Sequence, residues 1–281
     1  MLIDGKLVSK EILEDLKQKT QKLNEKPGLA VILANDNPAS KVYVNSKEKR
    51  ALEIGFRSYV YRFDRNVKQT DLIKLIHELN QNPSVHGILI QLPLFNHLNA
   101  QQLIEIINPK KDVDGFHPVN VGRLHSGLKP YAVCCTPLGI MKLFEYYNIE
   151  LTAKSALVIG RSNIVGRPMA ELLLQKNATV TLAHSKTTNL KAIAKNSDII
   201  ISATGKANMI TADMVKKGAV IIDVGIIKNL EGKLHGEVDF ENIENIASYI
   251  TPVPGGVGPM TIAMLMQNTY NLFKEAQNAK L

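Results

Sequence analysis

Cysteine is scarce in this chain: its 281 residues hold only two, Cys134 and Cys135, side by side. Adjacent cysteines rarely pair and no third is present, so a disulfide framework is excluded and a reducing, cytoplasmic setting is expected. The pair also lacks the ligand spacing of a zinc site, so no metal is expected. Long apolar runs are missing too. No stretch approaches the ~20 residues needed to span a bilayer. The opening Met1-Leu2-Ile3-Asp4-Gly5-Lys6 has no apolar core of signal-peptide length. No membrane role is therefore expected. Basic residues outnumber acidic ones for a formal charge of +8, but they are spread out, with no basic tail. That pattern argues against nucleic acid and suits small anions such as phosphates or polycarboxylates. What remains is ordinary globular composition, 45% hydrophobic and 21% charged, in a chain long enough for two modest domains.

Strand and helix signals alternate along the first half. Residues 9–24 read as an amphipathic helix, Leu29 to Leu33 as a buried strand, Ser58 to Phe63 as a second and Val85 to Gln91 as a third. A helix is expected over 69–81. The alternation implies a parallel α/β unit, whose ligands sit outside the carboxyl ends of the strands. Gln91 occupies such an end, where it either satisfies loop backbone or meets a ligand.

Between the first two strands, Asn37 can cap a helix, Pro38 suits its first position and Gly55 can close it. At about 100° per residue, Ser40, Tyr43, Val44, Lys47, Ala51 and Ile54 share one stripe. A lysine there is either paired, snorkelling or kept for chemistry. Tyr43 lies four residues before Lys47 on the same face, an aromatic platform beside an amine. That pairing suits a flat organic substrate, and burial of an amine favours its use as a base.

The stretch from Asn108 to Pro118 is rich in turn formers and carries Asp112 and Asp114 two residues apart. It reads either as a capped turn or as a loop whose carboxylate accepts hydrogen bonds from a substrate's N–H groups.

The second half has the rhythm of a nucleotide-binding sheet. Residues 138–148 form a connecting helix. Strands are expected at Ser155–Gly160, Ala178–Ala183, Asp198–Ala203 and Ala219–Val224, with a helix over 166–176. Against G-x-G-x-x-G only Gly160 matches, since Ser162 and Val165 hold the later positions. The context is stronger: strand, tight turn, then a helix N-terminus able to hold phosphate. After the next strand come His184-Ser185-Lys186-Thr187, with no acid for a ribose hydroxyl. Arg161 in the turn and Ser185 beyond the next strand suit a 2′-phosphate, hence NADP. Thr251 to Pro259 packs three glycines among prolines, which reads as a surface turn or as backbone brought close to a ligand, and Met260 to Lys274 as a closing helix.

These segments, taken in order, resemble the bifunctional methylenetetrahydrofolate dehydrogenase/methenyltetrahydrofolate cyclohydrolase family. The resemblance rests on Ser40-x-x-Tyr43-Val44-x-x-Lys47, Gln91-Leu92-Pro93-Leu94, Lys111 to Pro118, Cys135-Thr136-Pro137, Gly160-Arg161-Ser162-x-Ile164-Val165-Gly166, and Pro252 to Thr261. Cys134, Ala153 and Phe95 depart from it, where proline, glycine and proline are usual.

The resemblance implies an α/β fold with an N-terminal catalytic domain, residues 1–136 with 263–281, and a Rossmann-like NADP-binding domain, residues 137–262, with a cleft between them. It also implies a last helix returning to the first domain, and a homodimer formed through the nucleotide domains. The implied substrates are tetrahydrofolate derivatives. Lys47 would serve the hydrolysis and Gln91 would hold it. Tyr43 would stack on the folate and Asp114 would bind the pterin edge. Val44, Ile90, Leu92, Pro254, Gly255, Gly256, Val257 and Gly258 would complete the folate site. Gly160, Arg161, Ser162, Ser185 and Ile226 would bind NADP. Two rivals fare worse. The Tyr-x-x-x-Lys pair of short-chain dehydrogenases follows the nucleotide turn, whereas here it precedes it, and a basic RNA-binding protein would cluster its charge.

Overall fold

The computed structural model describes residues 1–228, 232 and 234–279. The chain forms two compact units. One comprises Glu11–Val133 with Ile262–Leu281, and is called here the Lys47 unit; the other comprises Met1–Lys10 with Cys134–Thr261, the Gly160 unit. Residues 280 and 281, at the end of the first expected domain, lie outside the described residues.

Helix α1 (Gly5–Gln21) starts four residues earlier than its apolar periodicity suggests. Asp4 is the reason. Its Oδ1 accepts from the amides of Lys6 at 2.9 Å and Leu7 at 3.1 Å, satisfying donors that a helix start leaves free.

In the Lys47 unit, β1 (Gly28–Leu33) is followed by α2 (Pro38–Glu53), β2 (Arg57–Arg62), α3 (Gln69–Gln81) and β3 (Gly87–Ile90). The sheet runs β2-β1-β3, all parallel. Every residue of β1 and β3 is buried, as expected of strands covered on both faces. Because the chain steps from β1 to β2 on one side and then back to β3 on the other, the order reverses between β1 and β3. Such a switch point opens a crevice at the carboxyl ends of its strands. Two short helices, α4 (Ala100–Ile106) and α5 (Pro118–His125), were not expected from the pattern. They are set by caps: Asn99 Oδ1 accepts from Gln102, and His117 Nδ1 from Val119 ahead of Pro118.

The Gly160 unit holds α6 (Cys135–Tyr146), β4 (Ser155–Ile159), α7 (Gly166–Gln175), β5 (Thr179–Ala183), α8 (Leu190–Lys195), β6 (Ile199–Ser202) and β7 (Val220–Asp223). A small antiparallel pair, β8 (Ile227–Lys228) and β9 (Leu234–His235), precedes α9 (Phe240–Ile243) and β10 (Tyr249–Ile250). The five-stranded parallel sheet runs β10-β7-β6-β4-β5, with its switch point between β4 and β6. Leu157, Ile159, Ile200 and Ile221 fill one face of it.

Met1–Lys10 packs here rather than with the residues that follow it because it extends the sheet. Leu2 bridges Ile250, Ile3 donates to the Ile250 carbonyl at 2.8 Å, and Lys6 donates to that of Gly255 at 3.0 Å. Helix α10 (Val257–Asn278) contributes to both units. It begins three residues before the expected Met260, so Val257 and Gly258 are its first turn rather than loop. Within the Lys47 unit it is tied down by Asn268, whose Nδ2 donates to the carbonyls of Val113 and Val133, both at 2.9 Å. Among the described residues, no helix is long and apolar enough to cross a membrane.

Candidate active site

The Lys47 helix forms as its sequence directs. Asn37 Oδ1 accepts from the Ala39 amide at 2.9 Å, Pro38 takes the first turn, and Gly55 follows with φ +82°. Ser40, Val44, Ala51 and Ile54 are buried. Lys47 is only half-buried and Tyr43 is 40% exposed. The two lie on the same flank of Val44, so the stripe has an apolar floor and a polar, accessible edge. Burial of the Tyr43 hydroxyl pushes its pKa up, keeping it a neutral hydrogen-bonding group.

Lys47 Nζ donates to Gln91 Oε1 at 2.8 Å, and Gln91 Nε2 donates to the Leu92 carbonyl at 2.8 Å. The ammonium is therefore neither snorkelling freely nor ion-paired; it is held by an uncharged amide at the switch point. Gln91 is placed by its own backbone, which donates to Ile32 at 2.8 Å. Leu92 is half-buried, while Ile90 and Val44 are core residues at 4% and 0% exposure.

The two carboxylates of the 108–118 loop have separate fates. Asp112 is 2% exposed. Its Oδ2 accepts from Asn120 Nδ2 at 2.9 Å and the His117 amide at 2.8 Å. Burial raises its pKa, against the pull of those donors. Asp112 is thus the loop's internal fastener. Asp114 is half-buried and stands where solvent or a ligand can reach it.

In the Gly160 unit the phosphate turn is built by close approach. Gly160 has φ +121°, and a Cβ there would lie 2.3 Å from the Ala203 carbonyl oxygen across the switch point. A Cβ on Gly166 would lie 1.9 Å from the Gly160 carbonyl oxygen. Gly166 therefore performs the task of the missing third glycine, one position late. Ser162, at the second glycine position, caps the helix instead: its Oγ accepts from Val165 at 3.1 Å and, at long range, Gly166 at 3.5 Å. The Ser162 carbonyl also accepts from the Arg167 amide at 3.0 Å, so Ser162 closes the turn into α7.

Arg161 and Ser185 are both exposed and leave neighbouring strands, each two residues beyond the paired Ile159 and Ala183. Residues 184–187 hold no acid, and their turn closes on itself, with His184 donating its amide to Thr187 Oγ1 at 2.9 Å. Ile226, 46% exposed, lies against Gly258, where a Cβ would meet its Cδ1 at 3.4 Å. In the glycine loop, Pro254 is exposed, while Gly255, Gly256 and Val257 are buried. Gly255 has φ +114°, and a Cβ on Gly256 would sit 2.6 Å from the Pro252 carbonyl oxygen. The loop needs its glycines for backbone packing, which a plain surface turn would not require.

The pattern overlooked a buried carboxylate that shapes this edge. Glu237, 1% exposed, accepts from Ser202 Oγ, from Thr204 through its amide and hydroxyl, and from the Gly205 amide at 2.6 Å. It fixes the 203–205 turn that lies against Gly160. The Thr204-Gly205 dipeptide after an apolar strand was the available signal. Among the described residues, no group of three or more His, Cys, Asp or Glu could hold a metal ion. Cys134 and Cys135 are buried and free of a disulfide.

Two parallel sheets with built carboxyl edges, one carrying a dinucleotide turn, define an α/β nucleotide-dependent enzyme. The family models agree. Residues 3–114 match the tetrahydrofolate dehydrogenase/cyclohydrolase catalytic domain, and residues 134–277 the NAD(P)-binding domain of the same family. The chain belongs to the tetrahydrofolate dehydrogenase/cyclohydrolase family. It is 55% identical over 273 residues to the bifunctional protein FolD of Streptococcus agalactiae, covering 96% of each chain. The crystal structure of the bifunctional enzyme FolD, methylenetetrahydrofolate dehydrogenase/cyclohydrolase, from Campylobacter jejuni superposes with a TM-score of 0.96 at 51% identity, covering 99% of each chain. The Trypanosoma brucei enzyme, complexed with NADP cofactor and an inhibitor, superposes at 0.94 with 37% identity, covering 99% of this chain and 98% of that one.

Proposed function

We propose that the chain oxidises 5,10-methylenetetrahydrofolate with NADP and hydrolyses the resulting 5,10-methenyl cation to 10-formyltetrahydrofolate. The observation that carries this reading is the Lys47–Gln91 hydrogen bond beside Tyr43, at the switch point of a sheet outside the dinucleotide unit. In this reading residues 1–136 with 263–281 are the folate-binding catalytic domain and 137–262 the NADP-binding domain, except that Met1–Lys10 pack with the latter.

The residues present fit NADP: two glycines that admit no Cβ, a tight turn from strand into helix, and Arg161 and Ser185 beyond paired strand ends, with no acid among residues 184–187. NADP held there would supply the hydride acceptor. Arg161 and Ser185 would hold its 2′-phosphate. Gly160, Ser162 and Ile226 line the remainder.

Oxidation needs orientation more than acid–base help, because the ring nitrogen lone pair expels the hydride from the bridging carbon. Tyr43 stacks on the folate ring system. Asp114, the accessible carboxylate of its loop, accepts from the pterin amino and ring N–H groups. The family resemblance gives Pro254, Gly255, Gly256, Val257 and Gly258 a part in folate binding as well.

Hydrolysis needs water added to the methenyl carbon, then a proton delivered to the departing ring nitrogen as the carbon–nitrogen bond breaks. Lys47 serves this step, receiving or steering the water proton and passing it on. Gln91 fixes Lys47 and the water together.

The reaction belongs to one-carbon metabolism feeding purine, methionine and histidine synthesis, in the cytoplasm, and the +8 charge serves anionic folates rather than nucleic acid. A homodimer through the Gly160 unit is favoured by the edge strand β5, which exposes Thr179, Thr181 and Leu182, with Leu174 of α7 59% exposed nearby in the chain. Incubation with methylenetetrahydrofolate and NADP tests the assignment. NADPH and 10-formyltetrahydrofolate should accumulate in equal amounts; NADPH with no formyl product would remove the hydrolase half, and neither product would remove the reading.

A further inference from the structure

Asn35 follows β1, outside every segment that carried the family resemblance, and has had no part in the chemistry above. It is 6% exposed, and its side chain is fully engaged. Oδ1 accepts from the Asn37 amide at 2.9 Å. Nδ2 donates to the Pro93 carbonyl at 2.6 Å and, at the limit of a hydrogen bond, to the Gln91 carbonyl at 3.5 Å. This set fixes the amide's orientation, because a flipped amide would set its oxygen against two carbonyl oxygens.

The partners on the two sides matter. Asn37 is the cap of α2, the helix that carries Lys47. Gln91 and Pro93 belong to the turn that carries Gln91's side chain. Backbone bonds hold that turn at its ends, Gln91 to Ile32 and Phe95 to Ala34. Between those points, the carbonyl of Pro93 is held by Asn35. A single buried side chain thus fastens the root of the Lys47 helix to the turn bearing Lys47's partner.

An ordinary asparagine turn would explain only the bond to Asn37, two residues on. The donors reaching residues 56 and 58 positions away have no such local purpose. We propose that Asn35 is a positioning residue for the Lys47–Gln91 pair, setting the distance and direction from which Lys47 serves the hydrolysis. In its catalytic consequence this rests on the function proposed above; in its structural part it does not.

Asn35→Asp separates the two roles. It keeps an acceptor for the Asn37 amide and removes the donors to Pro93 and Gln91. Two readouts are needed. The first is the 13Cε–1Hε NMR signal of Lys47, assigned by its disappearance in Lys47→Met, with Gln91→Leu giving its position when unpaired. The second is kcat and KM for hydrolysis of the methenyl compound. In Asn35→Asp the Lys47 signal should move toward its Gln91→Leu position. The hydrolase kcat should fall on the order of tenfold, with KM changed less than about twofold, since supporting bonds govern the geometry of reacting groups more than substrate affinity. Should Asn35→Asp fail to fold, Asn35→Ser replaces it: its hydroxyl can still accept from Asn37 but is too short to reach Pro93.

A Lys47 signal unchanged from wild type overturns the proposal, whatever kcat does. A shifted signal with wild-type kcat leaves Asn35 structural and overturns its catalytic role. A shifted signal in a protein whose wild type hydrolyses nothing supports the positioning and overturns the proposed function instead.

Discussion

Lys47 and Gln91, 44 residues apart in sequence, meet through a 2.8 Å hydrogen bond from Nζ to Oε1. The lysine comes from a helix after β1 and the glutamine from the end of β3, the two strands that flank the switch point. A neutral amide can orient an amine without forming an ion pair, which leaves the lysine free to exchange protons with a substrate or water.

Gln91→Leu should therefore uncouple orientation from binding. The hydrolase kcat should fall by roughly 10²-fold, the lower end of what a positioned acid–base group supplies. KM for the methenyl compound should change little. Decay of methenyl absorbance measures this; a raised KM with wild-type kcat would mean that Gln91 merely binds substrate.

Arg161 leaves the phosphate turn beside the carboxyl end of β5, where no acid stands. In Arg161→Ala, kcat/KM for NADP should drop at least about tenfold, the scale of one lost charge-assisted bond. The value for NAD should hardly move. Equal losses for both cofactors would place Arg161 on the pyrophosphate, and no wild-type preference for NADP would refute the 2′-phosphate site.

Asp223 makes the stability of the Gly160 unit depend on pH. It is 3% exposed, and burial, helped by the nearby Glu237 carboxylate, raises its pKa from 3.8 to about 6 against the amides of Glu237, Val238 and Gly225. The folded state holds this proton more tightly than the unfolded state. Its contribution is thus fully present below pH 3.8 and is lost as pH rises through about 6. The gap amounts to roughly 3 kcal/mol. Asp223→Asn sacrifices an acceptor at every pH, so the informative quantity is its stability relative to wild type. As pH rises from about 4 to about 7, that difference should shift in favour of the variant, as read from denaturant midpoints. A difference flat with pH contradicts the raised pKa.

Ala153 sits at φ +60° in an exposed turn before β4. A side chain pays for this backbone region, and glycine does not, so Ala153→Gly should stabilise by about 1 kcal/mol after its added unfolded-state entropy. Thermal denaturation checks it; a lowered Tm would show that the Ala153 methyl is making a compensating contact.

Much of the fold was legible because local and global signals agreed. Asn37, Pro38 and Gly55 bound the Lys47 helix, and the 69–81 helix was placed at both ends. Departures came where side-chain bonds outweigh periodicity. Asp4 starts α1 before its apolar repeat begins, and His117 and Asn99 nucleate helices too short to show one. Gly166 escaped the glycine pattern because close approach is set by geometry in space, and a shift of one residue defeats a fixed spacing. In the site, Lys47 and Gln91 were each suspect as polar residues at the edge of apolar runs. Without the family resemblance, which singled out Asp114, the residues alone did not separate Asp112 from Asp114, because both lie in one turn and only folding buries the first. Nothing in the sequence sets Asn35 apart from a turn asparagine, because its donors reach Gln91 and Pro93 only in the folded chain.

Hydrolysis depends on Lys47, and single-turnover absorbance of the methenyl compound tests that role. Wild-type enzyme with methylenetetrahydrofolate and NADP should show the methenyl band rise and then decay. In Lys47→Met the band should still rise, more slowly, and then persist at its background hydrolysis rate. Decay in the variant at the wild-type rate would contradict the role given to Lys47.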